Sequence, residues 1–250
     1  MDRIAFLSPL SCPAALAAFA LALALAMPVQ ASDTEAWAFK FTSALYSERD
    51  TPLATDQNLR GNLGEHTTWI GHYQRGGQFS QTRAGYEYTF KLRFGQVVPS
   101  LQAATHGFAG GAVTAQLGSD TAWAIVGFGR TNLKPYYNLS FDPNDSVVLG
   151  AGIRVRKSGV LSLFTVADDR LGTGQKVTHL VWRDRFAKDQ RITIDFVHKT
   201  GSPEAGLPGA PGKGLTVTYD HGNLFARIGR EQKVNFTTSD QTRFAAGFRF

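Results

Sequence analysis

Few residues of this chain have the types and spacing that covalent catalysis requires. A serine hydrolase needs a base, usually histidine, within hydrogen-bond reach of its nucleophile. The histidines occur singly, at positions 66, 72, 106, 179, 198 and 221. His198 has Ser202 close by in sequence, but a histidine near a strand end is more commonly an interfacial residue than a base. We therefore predict no catalytic residue.

Neither a metal site nor a cofactor is predicted. Cys12 is the only cysteine, and no grouping of His, Cys, Asp or Glu has the spacing of a metal site. The glycines of "GFGR" (127–130) and "GAGIR" (150–154) lie inside strand patterns with no helix after them, so they do not predict nucleotide binding.

The segment "NLKPYYNLSFDPNDS" (132–146) contains the densest group of small polar side chains. They could build a polar or cation-binding rim, and they are Asn138, Ser140, Asp142, Asn144 and Asp145. Asp-Pro-Asn-Asp is also an ordinary turn sequence. We interpret residues 142–145 as a turn.

Basic residues are more informative, because they recur on one face of predicted strands. In "RAGYEYTFKLRF" (83–94), every second residue from Ala84 to Phe94 is apolar or small, and the residues between them include Arg83, Lys91 and Arg93. Side chains alternate across a strand, so this segment has one apolar and one charged face.

The same alternation returns along the rest of the chain. It is seen in "SVVLGAGIRVR" (146–156), "RITIDFVHK" (191–199), "GLTVTYD" (214–220), "NLFARIGRE" (223–231) and "TRFAAGFRF" (242–250). Turn signals such as "RGGQ", "KSG" and "DHGN" separate the strands. Residues 47–65 and 200–213 show no strand pattern and are predicted to be long loops. The chain is therefore predicted to be all-β and to form one domain, residues 32–250.

The N-terminus predicts export from the cytoplasm. Arg3 precedes an uncharged apolar run at 14–27, and "PVQAS" then offers an A-x-A-like cleavage site. The run is short for a membrane-spanning helix, which needs about 20 residues. We interpret residues 1–31 as a cleaved secretory signal peptide. The formal net charge is +6, but export makes nucleic acid an unsuitable partner.

Two architectures can use such strands. A soluble sandwich buries its apolar face, whereas a transmembrane barrel turns that face to lipid. Three features favour the barrel: charged and small residues on the polar faces, aromatic residues near strand ends, and strands of roughly nine to eleven residues, which match the hydrocarbon thickness.

The last strand supports this interpretation. Phe244, Ala246, Phe248 and Phe250 alternate up to the C-terminus. Together with the signal peptide and the strand series, this pattern resembles the bacterial outer-membrane β-barrel class, in which a terminal aromatic strand is recognised by the barrel-assembly machinery. The resemblance implies residence in the outer membrane of a Gram-negative bacterium, contact with its lipid, and assembly through Phe244, Phe248 and Phe250.

The resemblance also implies an antiparallel up-and-down barrel with an even number of strands. We predict twelve strands, with ten or fourteen as alternatives, because the region 95–142 breaks the alternation. Counting back from Phe250 places 168–175, 201–212 and 235–240 outside the cell, together with 47–65, and places "KSG" and "DHGN" in the periplasm.

On the predicted strands, inward bases outnumber inward acids. Arginine binds carboxylate or phosphate through a planar fork, and a basic pore wall favours anions. We therefore predict a small passive channel for anionic or polar solutes. Its selectivity wall is predicted to comprise Arg83, Lys91, Arg93, Arg154, Arg156, Arg191, Arg227 and Arg243.

The sequence is also compatible with other functions. In size and charge the chain resembles small monomeric porins for acidic oligosaccharides, although it has no motif specific to them. One alternative is a lipid- or lipopolysaccharide-modifying enzyme of the outer membrane, but the H-x-S-N type motif of such enzymes is not present. Another is a closed structural or binding barrel that acts through loops 47–65 and 200–213.

Overall fold

Residues 36–250 are described by a computed structural model. The predicted signal peptide, residues 1–31, lies outside this range. Among the described residues, no helix is both long and apolar enough to cross a membrane.

The described chain is built from fifteen β-strand segments and two short 3₁₀ turns. The segments are β1 (Ala38–Glu48), β2 (Ala54–Leu63), β3 (His66–Arg75), β4 (Phe79–Tyr88), β5 (Phe90–Leu92), β6 (Gly95–Ala104), β7 (Phe108–Gly118), β8 (Ala122–Thr131), β9 (Ser146–Arg154), β10 (Val160–Asp168), β11 (Lys176–Ala187), β12 (Gln190–Thr200), β13 (Gly212–His221), β14 (Leu224–Glu231) and β15 (Gln241–Arg249). The 3₁₀ turns are Thr105–Gly107 and Val234–Phe236.

The segments form one closed antiparallel barrel. Except for β4 and β5, each pairs with its neighbours in sequence; β1 pairs with β15, and β4 closes the ring through β6. The short β5 continues β4 against β6 in an unchanged register, with Glu87 opposite Ser100 and Phe90 opposite Val97. The wall therefore has fourteen strands, with β5 as an additional short segment.

The prediction of an all-β antiparallel barrel is confirmed, but the prediction of twelve strands is wrong, and fourteen was only an alternative. One missed strand is β2, which occupies most of the predicted loop 47–65. The break in alternation within 95–142 is the turn Thr105–Gly107, where His106 has φ +67° and separates β6 from β7. The connection 201–211 agrees with the predicted loop at 200–213 to within two residues.

The two faces of the wall follow the predicted alternation. Large apolar side chains such as Leu149, Leu163 and Phe244 are more than half exposed on the outside. On the inside, aromatic rings lie over glycines of the neighbouring strand, where no side chain blocks them. These pairs are Trp69 with Gly85, Trp123 with Gly152, Phe164 with Gly150, and Phe225 with Gly247.

The two ends of the barrel differ. Phe39 and Phe250 exchange backbone hydrogen bonds of 2.7 and 3.0 Å, so the start of β1 and the end of β15 share one end, here called the terminal end. Because consecutive strands run in opposite directions, every second connection lies at this end, and these connections are short turns. The opposite, loop end carries the longer connections 132–145, 169–175, 201–211 and 232–240.

Candidate functional site: a lumen partitioned by an inward loop

The connection between β8 and β9, residues 132–145, folds into the barrel and is called the inward loop below. Its Tyr137 ring stacks on Tyr73 of β3 with 3.9 Å between centroids. Gln81 of β4 holds the backbone on both sides of this ring: its Nε2 donates to the Pro135 carbonyl at 2.9 Å, and its Oε1 accepts from the Tyr137 N–H at 2.9 Å. The loop is thus fixed to one side of the lumen.

The buried side chain of Arg83 also holds the inward loop in place. Arg83 Nη1 donates to the Tyr137 carbonyl at 3.1 Å, and Nη2 forms an ion pair with Asp56. Phe141 joins an apolar cluster with Tyr46 and Tyr73 between the loop and the wall. Arg83 Nε has no hydrogen-bond partner within residues 36–250, but the other contacts and the packed rings fill this half of the lumen.

The other half of the lumen is open. A cavity of about 740 Å³ runs along the inner faces of β7–β15. It extends from Trp123 and Arg183, near the terminal end, to Glu231 near the loop end. Ser140 and Asp142 of the inward loop form part of its lining. A second cleft, of about 300 Å³, opens at the loop end between the inward loop, 169–175 and 232–240, and Asp142 lines it as well.

Asp142 therefore lies at the partition between the two spaces, and a wall residue holds it there. His179 of β11 has Nε2 3.0 Å from Asp142 Oδ1 and Nδ1 3.1 Å from both carboxylate oxygens of Asp195 on β12. Its ring stacks on Phe164 with 4.8 Å between centroids. An ionised carboxylate only accepts, so both ring nitrogens donate if both acids are ionised, and His179 is then an imidazolium.

Three arginines on the cavity wall, Arg183, Arg227 and Arg243, lack a carboxylate partner among the described residues. Arg243 of β15 donates from Nη1 to the Leu139 carbonyl at 3.0 Å and from Nη2 to Thr216 Oγ1 at 3.3 Å. Its Nε is buried and has no partner within residues 36–250. Arg227 of β14 donates from Nε to Thr218 Oγ1 at 3.0 Å. A buried N–H without an acceptor is a position where an anionic solute can bind.

The acids near this wall have cationic partners. Glu231 forms an ion pair with the fully buried Lys199, while Asp142 and Asp195 share His179. Although bases and acids both line the cavity, the charges without an oppositely charged partner in residues 36–250 are therefore those of Arg183, Arg227 and Arg243.

The structure separates the predicted selectivity residues into groups. Arg227 and Arg243 line the cavity. Arg83 points inward but is 2% exposed beneath the inward loop. Arg191 points inward near the terminal end, where Asp220 accepts from it at 3.1 Å.

The other four predicted residues lie at the terminal rim. Lys91 and Arg93 lie beside the turn between β5 and β6, and Lys91 pairs with Glu65 at 2.6 Å. Arg154 donates to the Asp120 and Lys157 carbonyls, while Arg156, 71% exposed in its side chain, pairs with Asp184 at 3.4 Å. None of these four lines the cavity among the described residues.

Several features of the site were not predicted from the sequence. Residues 142–145 are predicted to form a turn, whereas they are the last part of the longer inward loop, 132–145. Arg183 and His179 were not assigned to the lumen, although both share the parity of Val181 on β11. On β12, the alternation correctly predicts that Asp195 and Phe196 lie on opposite faces of the wall.

The candidate pair for hydrolysis does not form. Ser202 Oγ is buried and donates to the Thr173 carbonyl at 3.1 Å, whereas His198 points outward and is exposed. No hydrogen bond joins His198 to Ser202 within the described chain.

Ion pairs brace the connections at the loop end. Arg130 forms a bidentate pair with Asp169, both bonds at 2.7 Å, and Arg170 pairs with the buried Asp145 at 2.7 Å. The hydrogen bond from Arg130 lowers the pKa of Asp169. Burial raises the pKa of the Tyr136 phenol in the inward loop. At neutral pH, these ion pairs hold the connections 132–145 and 169–175 together.

Comparison with known proteins identifies the architecture. No protein-family model and no curated protein matches the chain. Among solved structures, the outer membrane protein Omp33 of Acinetobacter baumannii is similar with a TM-score of 0.54 and 9% identity, over 86% of this chain and 98% of that one. A mutant of Rh. blastica porin is similar with a TM-score of 0.51 and 9% identity, over 86% and 99%. The predicted resemblance is confirmed: this chain has the closed barrel fold of the outer-membrane porins.

Proposed function

We propose that the protein is a passive channel of the outer membrane of a Gram-negative bacterium, which admits small polar solutes and favours anions. The observation that carries this proposal is the cavity beside Arg227 and Arg243, two guanidinium groups without a carboxylate partner in the described chain. Fixed cationic donors in a narrow pore favour anions over cations.

The outer wall supports the location in a membrane. Its exposed side chains include Leu149, Leu163, Phe196 and Phe244, and in water such a surface would be an aggregation hazard. With Phe250 at the terminal end, the usual arrangement of this class places that end in the periplasm and the loop end outside the cell.

The inward loop supports a narrow channel rather than a wide one. The loop fills one side of the lumen and brings Asp142 to the wall at His179. A solute that enters from outside would pass this contact, then travel along the arginine wall toward the terminal rim.

A closed structural barrel is the second candidate, and a specific observation favours it. The loop end is packed from within by Phe141 and Val234, and by Phe236 against Val177 and Val197. If these contacts never open, the cavity communicates only with the periplasm.

Planar-bilayer recording of the refolded mature protein under a salt gradient tests the proposal. We expect steady conductance and a reversal potential that favours anions. In Arg227→Gln/Arg243→Gln the reversal potential should move toward zero.

The matched control is Arg154→Gln/Arg156→Gln, which removes the same charge at the exposed terminal rim and should move the potential less. Absence of conductance from a folded, heat-modifiable barrel would contradict the channel and favour the closed barrel. An equal effect of both double variants would contradict the assignment of selectivity to the cavity wall.

A further inference from the structure

The outer face of β11–β14 carries basic side chains at the loop end. Lys176 of β11, Lys213 of β13 and Arg230 of β14 are exposed. The residues next to each of them in the chain are buried or half-buried, so alternation turns the three bases outward. His198 of β12 is also exposed on this face and lies opposite Lys213. These four residues are called the basic patch below.

The basic patch is only weakly neutralised by the chain itself. Within the described residues, one ion pair reaches it: Arg230 lies 3.4 Å from Asp240, and both side chains are exposed. No outward position on the loop-end halves of β11–β14 holds an acid. By contrast, the outward Arg130 of β8, which is also near the loop end, is bound by both carboxylate oxygens of Asp169. The patch therefore presents positive charge that is available to a partner.

The height of the patch matches that of lipid head groups. Lys176 is the first residue of β11, Lys213 is the second of β13, and Arg230 is the last but one of β14. A strand rises about 3.3 Å per residue and tilts by about 40°, so each base lies within about 3 Å of its strand end along the membrane normal. The next outward residues toward the terminal end, Leu215 and Ile228, are apolar and exposed. The bases thus lie just above the apolar band of the wall.

An apolar groove lies in the outer wall beside the patch. The outward Ala226 of β14 lies opposite Ala246 of β15, which lies opposite Ser43 of β1. Three small side chains in one row leave a depression next to the larger Tyr219 of β13. Two adjoining cavities, of about 490 and 340 Å³, lie over this row and share Tyr219, Ala226 and Ala246 in their linings. Together they are called the outer groove.

The outer groove runs from the patch toward the terminal end. Arg230 and Ile228 are successive outward residues of β14, so the patch lies at the upper edge of the groove. Ile228 lines the upper part and Leu224 the lower part, and the four residues of strand between them span about 13 Å. A long, narrow and apolar groove with bases at its upper edge matches the shape and polarity of an acyl chain below an anionic head group.

We propose that this face binds a phosphorylated lipid of the outer leaflet, with a phosphate on Lys213 and Arg230 and an acyl chain in the outer groove; this rests on the membrane location proposed above. Arg230 lies opposite Leu215, two residues from Lys213, so the Cβ atoms of the two bases are about 7–8 Å apart. Both side chains reach a phosphate placed between them, the arginine as a fork and the lysine as a point charge. Lys176 lies two strands from Lys213, about 10 Å across the sheet, and is placed for a second phosphate.

Native mass spectrometry of the refolded mature protein tests the head-group contact. The protein in detergent micelles is titrated with bisphosphorylated lipid A, and we expect the folded barrel to retain the lipid. Lys213→Gln/Arg230→Gln should lower the affinity about thirtyfold, because each base beside an anionic lipid surface contributes to binding and two are removed. The matched control is Arg154→Gln/Arg156→Gln, which removes the same charge at the terminal rim and should bind lipid A like the unmodified chain.

A second pair of variants tests the outer groove without changing any charge. Ala226→Leu/Ala246→Leu fills the floor of the groove and should lower the affinity for lipid A about tenfold, because roughly two methylene groups of the acyl chain are displaced from it. Ala124→Leu/Ala151→Leu is the matched control: these two alanines also face each other on the outer wall, on β8 and β9, and their replacement should leave binding unchanged. Heat modifiability establishes that each variant is folded.

The proposal is overturned if Lys213→Gln/Arg230→Gln binds lipid A as tightly as the rim control does, or if the two leucine variants bind it equally well. Displacement of lipid A by millimolar inorganic phosphate would also overturn it, since the patch would then hold a free anion rather than a lipid. So would equal retention of phosphatidylcholine, which carries no net charge. Lipid binding in detergent does not depend on conductance, whereas the reversal potential tests the channel, so failure of this site is distinguishable from failure of the proposed function.

Discussion

The contact between Asp142 and His179 is predicted to control passage between the mouth and the lumen. Asp142 lines both spaces, and its Oδ1 lies 3.0 Å from His179 Nε2. Replacing Asp142 by alanine removes this attachment. The Tyr137 stack and the bond from Arg243 to the Leu139 carbonyl would still hold the first half of the inward loop. Phe141 in the apolar cluster and Asp145 with Arg170 would still hold the rest of the loop, so only the contact with the wall at His179 would be released.

The size of the effect follows from the hydrogen bond that is lost. A hydrogen bond to a charged group contributes about 1.5–3 kcal/mol. We take about 2 kcal/mol for this bond. The population in which the loop has left His179 should then rise about thirtyfold relative to the population in contact with it, because every 1.4 kcal/mol is a factor of ten. Single-channel recordings of Asp142→Ala should therefore show longer or more frequent openings to a larger conductance.

Asp142→Asn separates the contact from the charge. The amide keeps a hydrogen-bonding group but loses the negative charge, so gating should change less than in the alanine variant while anion preference rises in both. Glu65→Ala, which removes an acid paired with Lys91 at the terminal rim, should leave gating unchanged. Openings of the same size and frequency in Asp142→Ala and the unmodified protein would refute the assignment of Asp142 to the partition.

Three further predictions concern stability and assembly. Gly152→Leu should lower the free energy of unfolding by about 1–3 kcal/mol, measured by urea unfolding, because a side chain there overlaps the Trp123 indole. Asp56→Ala should cost about 3–5 kcal/mol in the same assay, since it leaves the buried Arg83 guanidinium unpaired. Phe250→Ala should lower the heat-modifiable fraction in cell membranes, because the terminal ring is proposed to take part in recognition by the assembly machinery.

Controls distinguish these effects from general damage. Gly111→Ala, where the nearest atom is the flexible end of Leu101, should change stability by less than about 0.5 kcal/mol. Glu87→Gln breaks the part-exposed pair with Arg60 and should cost less than about 1 kcal/mol. If Glu87→Gln proves as costly as Asp56→Ala, burial is not the cause; if Phe250→Ala also prevents refolding in detergent, its effect is on the fold rather than on recognition.

The alternation of side chains determined much of this structure. It predicted which face each side chain takes on β4, on β9 and on β12–β15, and hence an antiparallel barrel with a lipid-facing outer wall, because period two is a local property of an extended chain. It failed at β2, whose outward Thr55 and Gln57 are polar, so that a real strand lacked the contrast on which the prediction depended.

Height in the barrel and the path of the inward loop were decided only by the tertiary structure. Alternation assigns Arg154 and Arg227 to the same face, but it does not state that one lies at the rim and the other beside the cavity. The inward loop is held by Tyr73, Gln81 and His179, which come from strands distant in sequence. A polar loop that ends in "DPND" has no local signal for the lumen, because the partners that satisfy its backbone meet it only once the barrel has closed.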